Sequence, residues 1–290
     1  MASLKEIRAR IASVASTQKI TSAMKMVSAA KLKKAESTTL AFLPYKNKLS
    51  EALSNYLGSL EGSVSIPLAE NREVKKVALI AFSSSSGLCG GYNSSVSKLF
   101  KQAYDSYAEK LGKENIIVIL SGKKLKDYAK KFQIPVKEYY EPAADKPSFD
   151  MAMELSDKMV KLFLDHEVDR VEMVFNHYKN AGVQTPQREV VLPLRTDTLP
   201  EAQGFDYIVE PNKEEFINGL VPKVVRTVFY SIMLDTFTAE HGARMTAMHI
   251  ASDNADELLQ ELKIQYNKAR QNVITNELID IVGGAEALNG

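Results

Sequence analysis

The sequence predicts an α/β protein made of a long antiparallel coiled coil of N- and C-terminal helices plus a central domain with a mostly parallel sheet. Three observations predict it: unbroken helical periodicity at both ends of the chain, opposite charge on those ends, and strand-helix alternation between them. With 290 residues, 45% hydrophobic and 25% charged, the chain is long enough to bury a sizeable core. No run approaches the ~18 apolar residues that a membrane-spanning helix needs. The longest apolar stretches, Val77 to Phe82 and Ile116 to Leu120, are the size of strands.

The first element is a helix over residues 1–57. Neither glycine nor proline occurs from Ser3 to Phe42, and Leu4, Ile7, Ile11 and Val14 recur at the three-four spacing of one helical stripe, which Ile20, Met24 and Val27 are expected to continue. Pro44 interrupts the pattern without abolishing it, and Gly58 and Gly62 mark the break. From Met1 to Lys34 eight basic residues face one acid, Glu6, a formal +7. A basic, serine-rich start also fits a transit peptide or a nucleic-acid arm. Against nucleic acid, aromatic residues are absent from the first 41 positions and no recognised motif appears.

Residues 58–73 read as a linker. Residues 74–212 form the α/β domain: strand Val74–Phe82, helix Asn93–Leu111, strand Asn115–Leu120, helix Lys124–Phe132, strand Val136–Tyr140, helix Phe149–Asp165 and strand Arg170–Tyr178. Such alternation favours parallel strands covered by helices. Asn180 to Gln187 reads as a turn into a last strand, Glu189–Leu194, pairing as an antiparallel edge.

The closing element, residues 213–290, is the second long helix. No proline follows Pro222, and only Gly242 interrupts Lys223 to Val282. Met245, Met248, Ser252, Ala255, Leu259, Leu262, Tyr266, Ala269 and Val273 step alternately by three and four, a heptad seam. Its small and polarizable members favour close approach of another helix over self-association, and Gly283 and Gly284 supply the expected stop. Gly242 is expected to mark local bending or close packing, at an intrinsic helix cost of about 1 kcal/mol. From Asp253 onward seven acids face three bases, so this end is net −4 against the +7 of the first. At 1.5 Å per residue the two helices reach roughly 80 and 90 Å, against about 50 Å for the diameter of a compact chain of this length. Gln18, Lys19, Thr21, Gln265, Asn267, Lys268, Arg270 and Gln271 crowd the seam with polar groups, which suits a pair facing solvent or a surrounding partner better than a buried hairpin.

Little in the chain carries chemistry of its own. One cysteine, Cys89, excludes an internal disulfide and multi-cysteine metal sites and suits a reducing compartment, and four histidines are too scattered for a metal cage. The loop from Ser83 to Gly91 invites a phosphate-binding reading, but Gly87-x-x-Gly90-Gly91 fits neither the P-loop nor the dinucleotide pattern. Cys89 lacks a neighbouring histidine to activate it. His241 and His249 read as exposed or partner-facing polar residues. No catalytic, cofactor or metal residue is expected.

Three separated stretches carry a resemblance. They are Ile7-Arg8-x-Arg10-Ile11-x-Ser13-Val14 with Thr17-Gln18-Lys19-Ile20-Thr21-x-Ala23-Met24-x-Met26-Val27; Gly87-Leu88-Cys89-Gly90-Gly91-Tyr92-Asn93; and Tyr266-Asn267-Lys268-Ala269-Arg270-Gln271 with Ile274-Thr275, Glu277-Leu278 and Ile281-Val282. Over essentially its whole length the chain resembles the gamma subunits of F-type ATP synthase, the central rotor shaft. The resemblance implies a coiled-coil shaft inside an alpha3-beta3 hexamer, one copy per complex, and a Rossmann-like foot at the membrane c-ring and epsilon subunit. It places Arg270 and Gln271 at the loop of the catalytic beta subunit that grips the shaft, Thr275 and Glu277 close by, and Met24 and Lys25 against that subunit's acidic lever. Tyr207 and Glu210 match the ring and epsilon contact, with Val209 standing where some relatives have tyrosine. It further implies no catalytic site, no cofactor and no nucleic acid for this chain itself, coupling of proton flow to ATP synthesis in the complex, and peripheral attachment to the membrane. The absence of the paired cysteines of chloroplast relatives and of a presequence points to the cytoplasmic face of a bacterial inner membrane.

Two other readings have distinct signatures. A free coiled-coil adaptor with an α/β head would sediment as a homodimer, and an enzyme using Ser83 to Gly91 would turn over substrate in isolation.

Overall fold

The computed structural model describes residues 3–58, 66–140, 147–195, 210 and 212–289. In chain order the elements are α1 (Leu4–Gly58), β1 (Val77–Phe82), α2 (Tyr92–Leu111), β2 (Ile116–Ser121), α3 (Lys123–Lys131), β3 (Glu138–Tyr140), α4 (Phe149–Leu164), β4 (Arg170–Asn180), β5 (Val183–Leu192) and α5 (Lys213–Asn289). The chain forms two compact units, Met1–Val27 with Met245–Gly290, and Ser28–Arg244.

The larger unit is built on a five-stranded sheet of order β3-β2-β1-β4-β5, parallel except for the antiparallel β4-β5 hairpin at one edge. β1 is buried at all six positions, which is why it reads as a continuous apolar run instead of alternating. Ala78, Ile80 and Phe82 face α4 and the proximal parts of α1 and α5, through Leu155, Met159, Phe163, Leu53, Tyr56, Val225 and Phe229. Val77, Leu79 and Ala81 face α2 and α3, through Val96, Phe100, Tyr104, Leu125 and Ala129. Helix α4 begins where Ser148 caps it, its hydroxyl accepting from the Met151 N–H at 3.3 Å. The described part of the stretch read as a linker packs tightly: Leu68 is buried, its carbonyl accepts from the Leu194 N–H, and Arg72 lies over the Phe163 ring at 4.1 Å.

Several expectations are corrected. The stretch Asn180 to Gln187 is not a turn; only Ala181 and Gly182 lie between β4 and β5, and Val183–Leu192 is strand throughout. Pro186 is tolerated there because β5 is an edge strand, where one ladder donor is dispensable. Gly283 and Gly284 do not stop α5, which continues to Asn289. Nothing packs within 4 Å of either glycine, so each costs only its propensity of about 1 kcal/mol between good helix formers. Pro44 and Pro222 both lie inside continuous helices.

His241 is neither exposed nor partner-facing. It is buried among Phe237, whose ring meets it edge-on at 4.4 Å, and Arg244, whose guanidinium lies 3.4 Å from Nδ1. Arg244 and Glu240 form an ion pair at 2.7 Å with both side chains almost fully buried. Such a pair is costly to break because the remaining charge would be stranded without water. The Arg244 guanidinium also donates to the Ser86 hydroxyl at 2.8 Å and to the Gly87 carbonyl at 3.4 Å, holding the loop after β1 against α5. Cys89, Tyr92, Ala239 and Ala243 pack together beneath it. Gly242 is the site of close packing: a Cβ there would meet the Tyr178 ring at 2.9 Å.

Two predictions follow from this packing. Gly122 sits at φ +94°, and a Cβ would lie 2.1 Å from the Ser83 carbonyl oxygen, so Gly122→Ala should destabilise the chain by about 3 kcal/mol in denaturant unfolding. Burial, then Arg244 and Lys31, lower the His241 pKa from 6.5 to about 4, so the unfolded chain binds the proton more readily. This contribution to stability is complete above about pH 6.5 and is lost as the pH falls toward 4. It amounts to something on the order of 2 kcal/mol after allowance for residual solvent screening. Unfolding free energies measured across that window should show this slope, and His241→Gln should flatten it.

Candidate functional site

The candidate site is the surface of the helical pair formed by the two ends of the chain. Helix α1 starts with a reciprocal cap in which Ser3 N–H donates to the Glu6 carboxylate at 2.9 Å and Glu6 N–H to the Ser3 hydroxyl at 3.3 Å. Arg8 donates to the Tyr266 hydroxyl at 2.7 Å and lies over its ring at 5.6 Å, while Ser252 and Thr21 join through their hydroxyls at 2.8 Å. Advancing along α1 from residue 8 to residue 21 thus means retreating along α5 from 266 to 252, which is antiparallel pairing.

The seam on α5 lies where its spacing places it. Met248, Ser252, Ala255 and Leu262 are buried, and Met245, Leu259, Tyr266 and Ala269 are half-buried. Val273, the last position of the expected seam, is exposed, as is every described side chain from Arg270 to Ala285. On α1 the expected continuation needs correction. Ile20 and Val27 point outward, each 57% exposed, while Met24 is half-buried as expected, and the covered frame runs through Leu4, Ile7, Ile11, Val14, Gln18, Thr21 and Lys25. Strict three-four stepping from Val14 lands on polar residues, and the helix keeps that frame because a shift to reach Ile20 would break knobs-into-holes register along the whole pair. Small polar residues opposite Ser252 also permit the close approach seen in the Thr21–Ser252 bond.

Consequently large apolar side chains cover the outside of the pair: Ile20, Met26, Val27, Ile250 and Ile264, followed on the unaccompanied end of α5 by Val273, Ile274, Leu278, Ile279, Ile281 and Val282. Keeping the heptad frame through Gln18 and Thr21 is the signal that would have identified the outward set from sequence.

The expected contact residues fall into separate zones. Met24 and Lys25 are half-buried on α1, close to the level of the Thr21–Ser252 bond. Arg270, Gln271, Thr275 and Glu277 are exposed on α5, with the Thr275 hydroxyl donating back to the Gln271 carbonyl at 2.9 Å. Roughly 30 Å of helix separates the two zones, so they do not converge on one site. Tyr207 lies outside the described residues, and Glu210 is exposed just ahead of α5.

Neither enzymatic candidate gains support. Burial pushes the Cys89 thiol up, and its sulfur accepts from the Asn93 amide at 3.0 Å, the environment of a packed thiol and not of a thiolate nucleophile. In the Ser83–Gly91 loop, Ser83 Oγ accepts the Leu125 N–H, and Ser86 and Gly87 are engaged by Arg244, so these polar groups serve the fold. A groove of about 1100 Å³ between α1, β4-β5 and α5 is lined by Lys46, His177, Glu189 and Asp235. Three of these polar groups are already engaged, His177 with Asp235 at 2.6 Å and Lys46 with Ser231 at 3.0 Å. Among the described residues, no group of three or more His, Cys, Asp and Glu could hold a metal ion. No helix among them is long and apolar enough to cross a membrane.

A sequence model of the ATP synthase family matches residues 3–288. The ATP synthase gamma chain of Flavobacterium johnsoniae is 49% identical over 291 residues, covering all of both chains. That of Bacteroides fragilis is 47% identical over 292 residues, covering 99% of this chain and all of the relative. Among solved structures, a chain of the Euglena gracilis mitochondrial ATP synthase (OSCP/F1/c-ring) superposes with a TM-score of 0.65 at 18% identity, over 98% of this chain and 94% of that one. A chain of the Tetrahymena thermophila mitochondrial ATP synthase central stalk and c-ring gives 0.58 at 22% identity, over 80% and 99%. A long antiparallel helical pair, a mostly parallel sheet and full-length identity to gamma chains agree, and the chain belongs to the ATP synthase gamma-chain family.

Proposed function

We propose that this chain turns inside a ring of three alpha and three beta subunits, as one copy per complex, and couples rotation of a membrane c-ring to ATP synthesis and hydrolysis. The observation that carries this reading is the end of α5, where every described side chain from Arg270 to Ala285 is exposed and six of them are large and apolar. A helix presenting apolar groups on several faces calls for a partner that surrounds it. Similarity to ATP synthase gamma chains, and to a chain of an OSCP/F1/c-ring assembly, supports reading that partner as the F1 ring.

In this mechanism chemistry belongs to the beta subunits. The helical pair has no rotational symmetry, since α1 is basic where α5 is acidic and α5 continues alone past Ala269. Each of three equivalent catalytic subunits therefore meets a different surface, and turning the shaft biases their conformations in succession. Arg270 and Gln271, with Thr275 and Glu277, would meet the loop of one beta subunit, while Met24 and Lys25 would face its acidic lever. Each exposed charge pair contributes typically under 1 kcal/mol, and coupling rests on many acting together. Tyr207 and Glu210 would lie at the ring and epsilon contact, in a foot domain spanning residues 74–212 that is joined through residues 58–73 to a shaft of residues 1–57 and 213–290. The chain would sit at the cytoplasmic face of a bacterial inner membrane, held there by the complex.

In a reconstituted hexamer, replacing Arg270 and Gln271 by alanine should lower ATP hydrolysis by about fivefold, the scale set by 1 kcal/mol; an unchanged rate would remove the assigned grip. Lys25→Glu should reduce protons pumped per ATP in proteoliposomes while shifting the chain's unfolding free energy by about 0.5 kcal/mol or less. Equal pumping stoichiometry would refute the lever contact. Sedimentation as a homodimer, with no recovery in a hexamer, would instead favour a free coiled-coil adaptor.

A further inference from the structure

We propose that the tip of the β4-β5 hairpin and the Ser83–Asn93 loop form a collar that carries torque between the sheet and both long helices, with Tyr178 as its positioning residue. The proposal rests on the rotor reading above and adds to it the place where the foot grips the shaft.

Apolar burial is non-directional, so the packing of Phe229, Ile232 and Met233 on the sheet holds α5 close without fixing its rotation. Arg226 is tied to Asp157 of α4 at 2.7 and 2.8 Å and Ser231 to Lys46 of α1, and the directional contacts with the hairpin begin one turn past Ile232. The Asp235 carboxylate accepts the Tyr178 backbone N–H at 2.9 Å and lies 2.6 Å from His177 Nδ1. Two turns along the same face, the Tyr178 ring rests on bare backbone at Gly242, where a Cβ would come within 2.9 Å of it. The hairpin tip is stiffened behind this contact by Gln184, which donates to the carbonyls of Asn180 and Ala181.

A second set of contacts comes from the loop. The Tyr92 hydroxyl donates to the Thr236 carbonyl at 3.1 Å, and Arg244, paired with Glu240, holds Ser86 and Gly87. At 3.6 residues per turn, the Asp235/Gly242 face and the face bearing Thr236, Glu240 and Arg244 lie roughly 150° apart around α5. A contact on one face lets a helix roll, whereas two at this separation oppose rolling in either direction. Both originate in the sheet domain and are joined to each other, because the buried Asn176 side chain at the base of the hairpin donates to the Tyr92 carbonyl at 2.9 Å.

The same tyrosine reaches the other helix. Its hydroxyl donates to Glu36 Oε1 on α1 at 2.7 Å, and burial followed by this bond pushes its pKa up to about 12, so it remains a donor at physiological pH. Tyr178 therefore links the sheet to α1 and α5 at once, just before both helices leave the larger unit at Ser28 and Arg244.

The test uses the assembled complex, with the hexamer immobilised, the shaft stalled by a non-hydrolysable nucleotide and a bead attached to the foot. Angular variance of the bead reports torsional stiffness. Tyr178→Phe and Glu36→Ala should each widen that variance by about twofold, on the scale at which one lost hydrogen bond shifts a local equilibrium. Glu36→Gln, which keeps an acceptor oxygen, should restore the wild-type value. The ring is retained in Tyr178→Phe and Glu36 is only half-buried, so unfolding curves of the isolated variants should stay close to wild type. Unchanged variance in both Tyr178→Phe and Glu36→Ala, or equal widening by Glu36→Gln and Glu36→Ala, would overturn the collar. Failure of the rotor reading looks different: the wild-type chain would then show no bead rotation with ATP at all.

Discussion

Side-chain interdigitation along the α1-α5 seam is the one interaction that holds the unit formed by the two ends of the chain. In the unit formed by the two ends of the chain no sheet stands behind the helices, so each can bury apolar surface only against the other. The seam is made largely of small or flexible side chains on α5, with Ser252 and Ala255 at its centre, and polar Gln18 and Thr21 opposite on α1. That composition brings the helices close while leaving the larger residues to face outward. The same close approach leaves large apolar groups on the outside of the pair, set among exposed charges.

The sheet solves a different problem. A parallel sheet buried on both faces gives a rigid body, and its two apolar layers use alternate residues of β1 to hold α4, α1 and α5 on one side and α2 and α3 on the other. In the proposed rotor, rigidity within the sheet is of little use unless it reaches the helices through contacts that cannot slide. The Ser83–Gly91 loop, which by sequence invites a phosphate-binding reading, would meet that need: its glycines and Cys89 let it lie against α5, where the buried Arg244–Glu240 pair holds it. At the β4-β5 edge the hairpin reaches the helices with Tyr178, and Gly242 removes the side chain that would keep it away.

Much of the fold was legible because its signals are local. Glycine-free and proline-free heptads announced both long helices, the apolar runs announced β1 and β2, and Gly242 stood out as a cost that close packing repays. The misreadings share one cause. Ile20 and Val27 look like core by hydrophobicity, yet the seam frame passes through Gln18, Thr21 and Lys25; Gly283-Gly284 looks like a stop, yet nothing there terminates the helix. His241 resembles a surface histidine in a polar run, yet Phe237 and Arg244 enclose it. Each depends on what lies across a contact and not on the residue's own chemistry.

By itself the sequence determined two oppositely charged helices too long for the body between them, an α/β domain, the absence of a disulfide, and, through three motifs, a family. Only the tertiary structure decided which helical faces are covered, where α5 runs alone, and that Tyr178, Glu36, Gly242 and Arg244 meet around the helices. Periodicity is a property of neighbouring residues and survives in one dimension. Register, facing and long-range hydrogen bonds join residues as far apart as Glu36 and Tyr178, and they are settled only when the packed chain leaves one arrangement in which those groups are satisfied together.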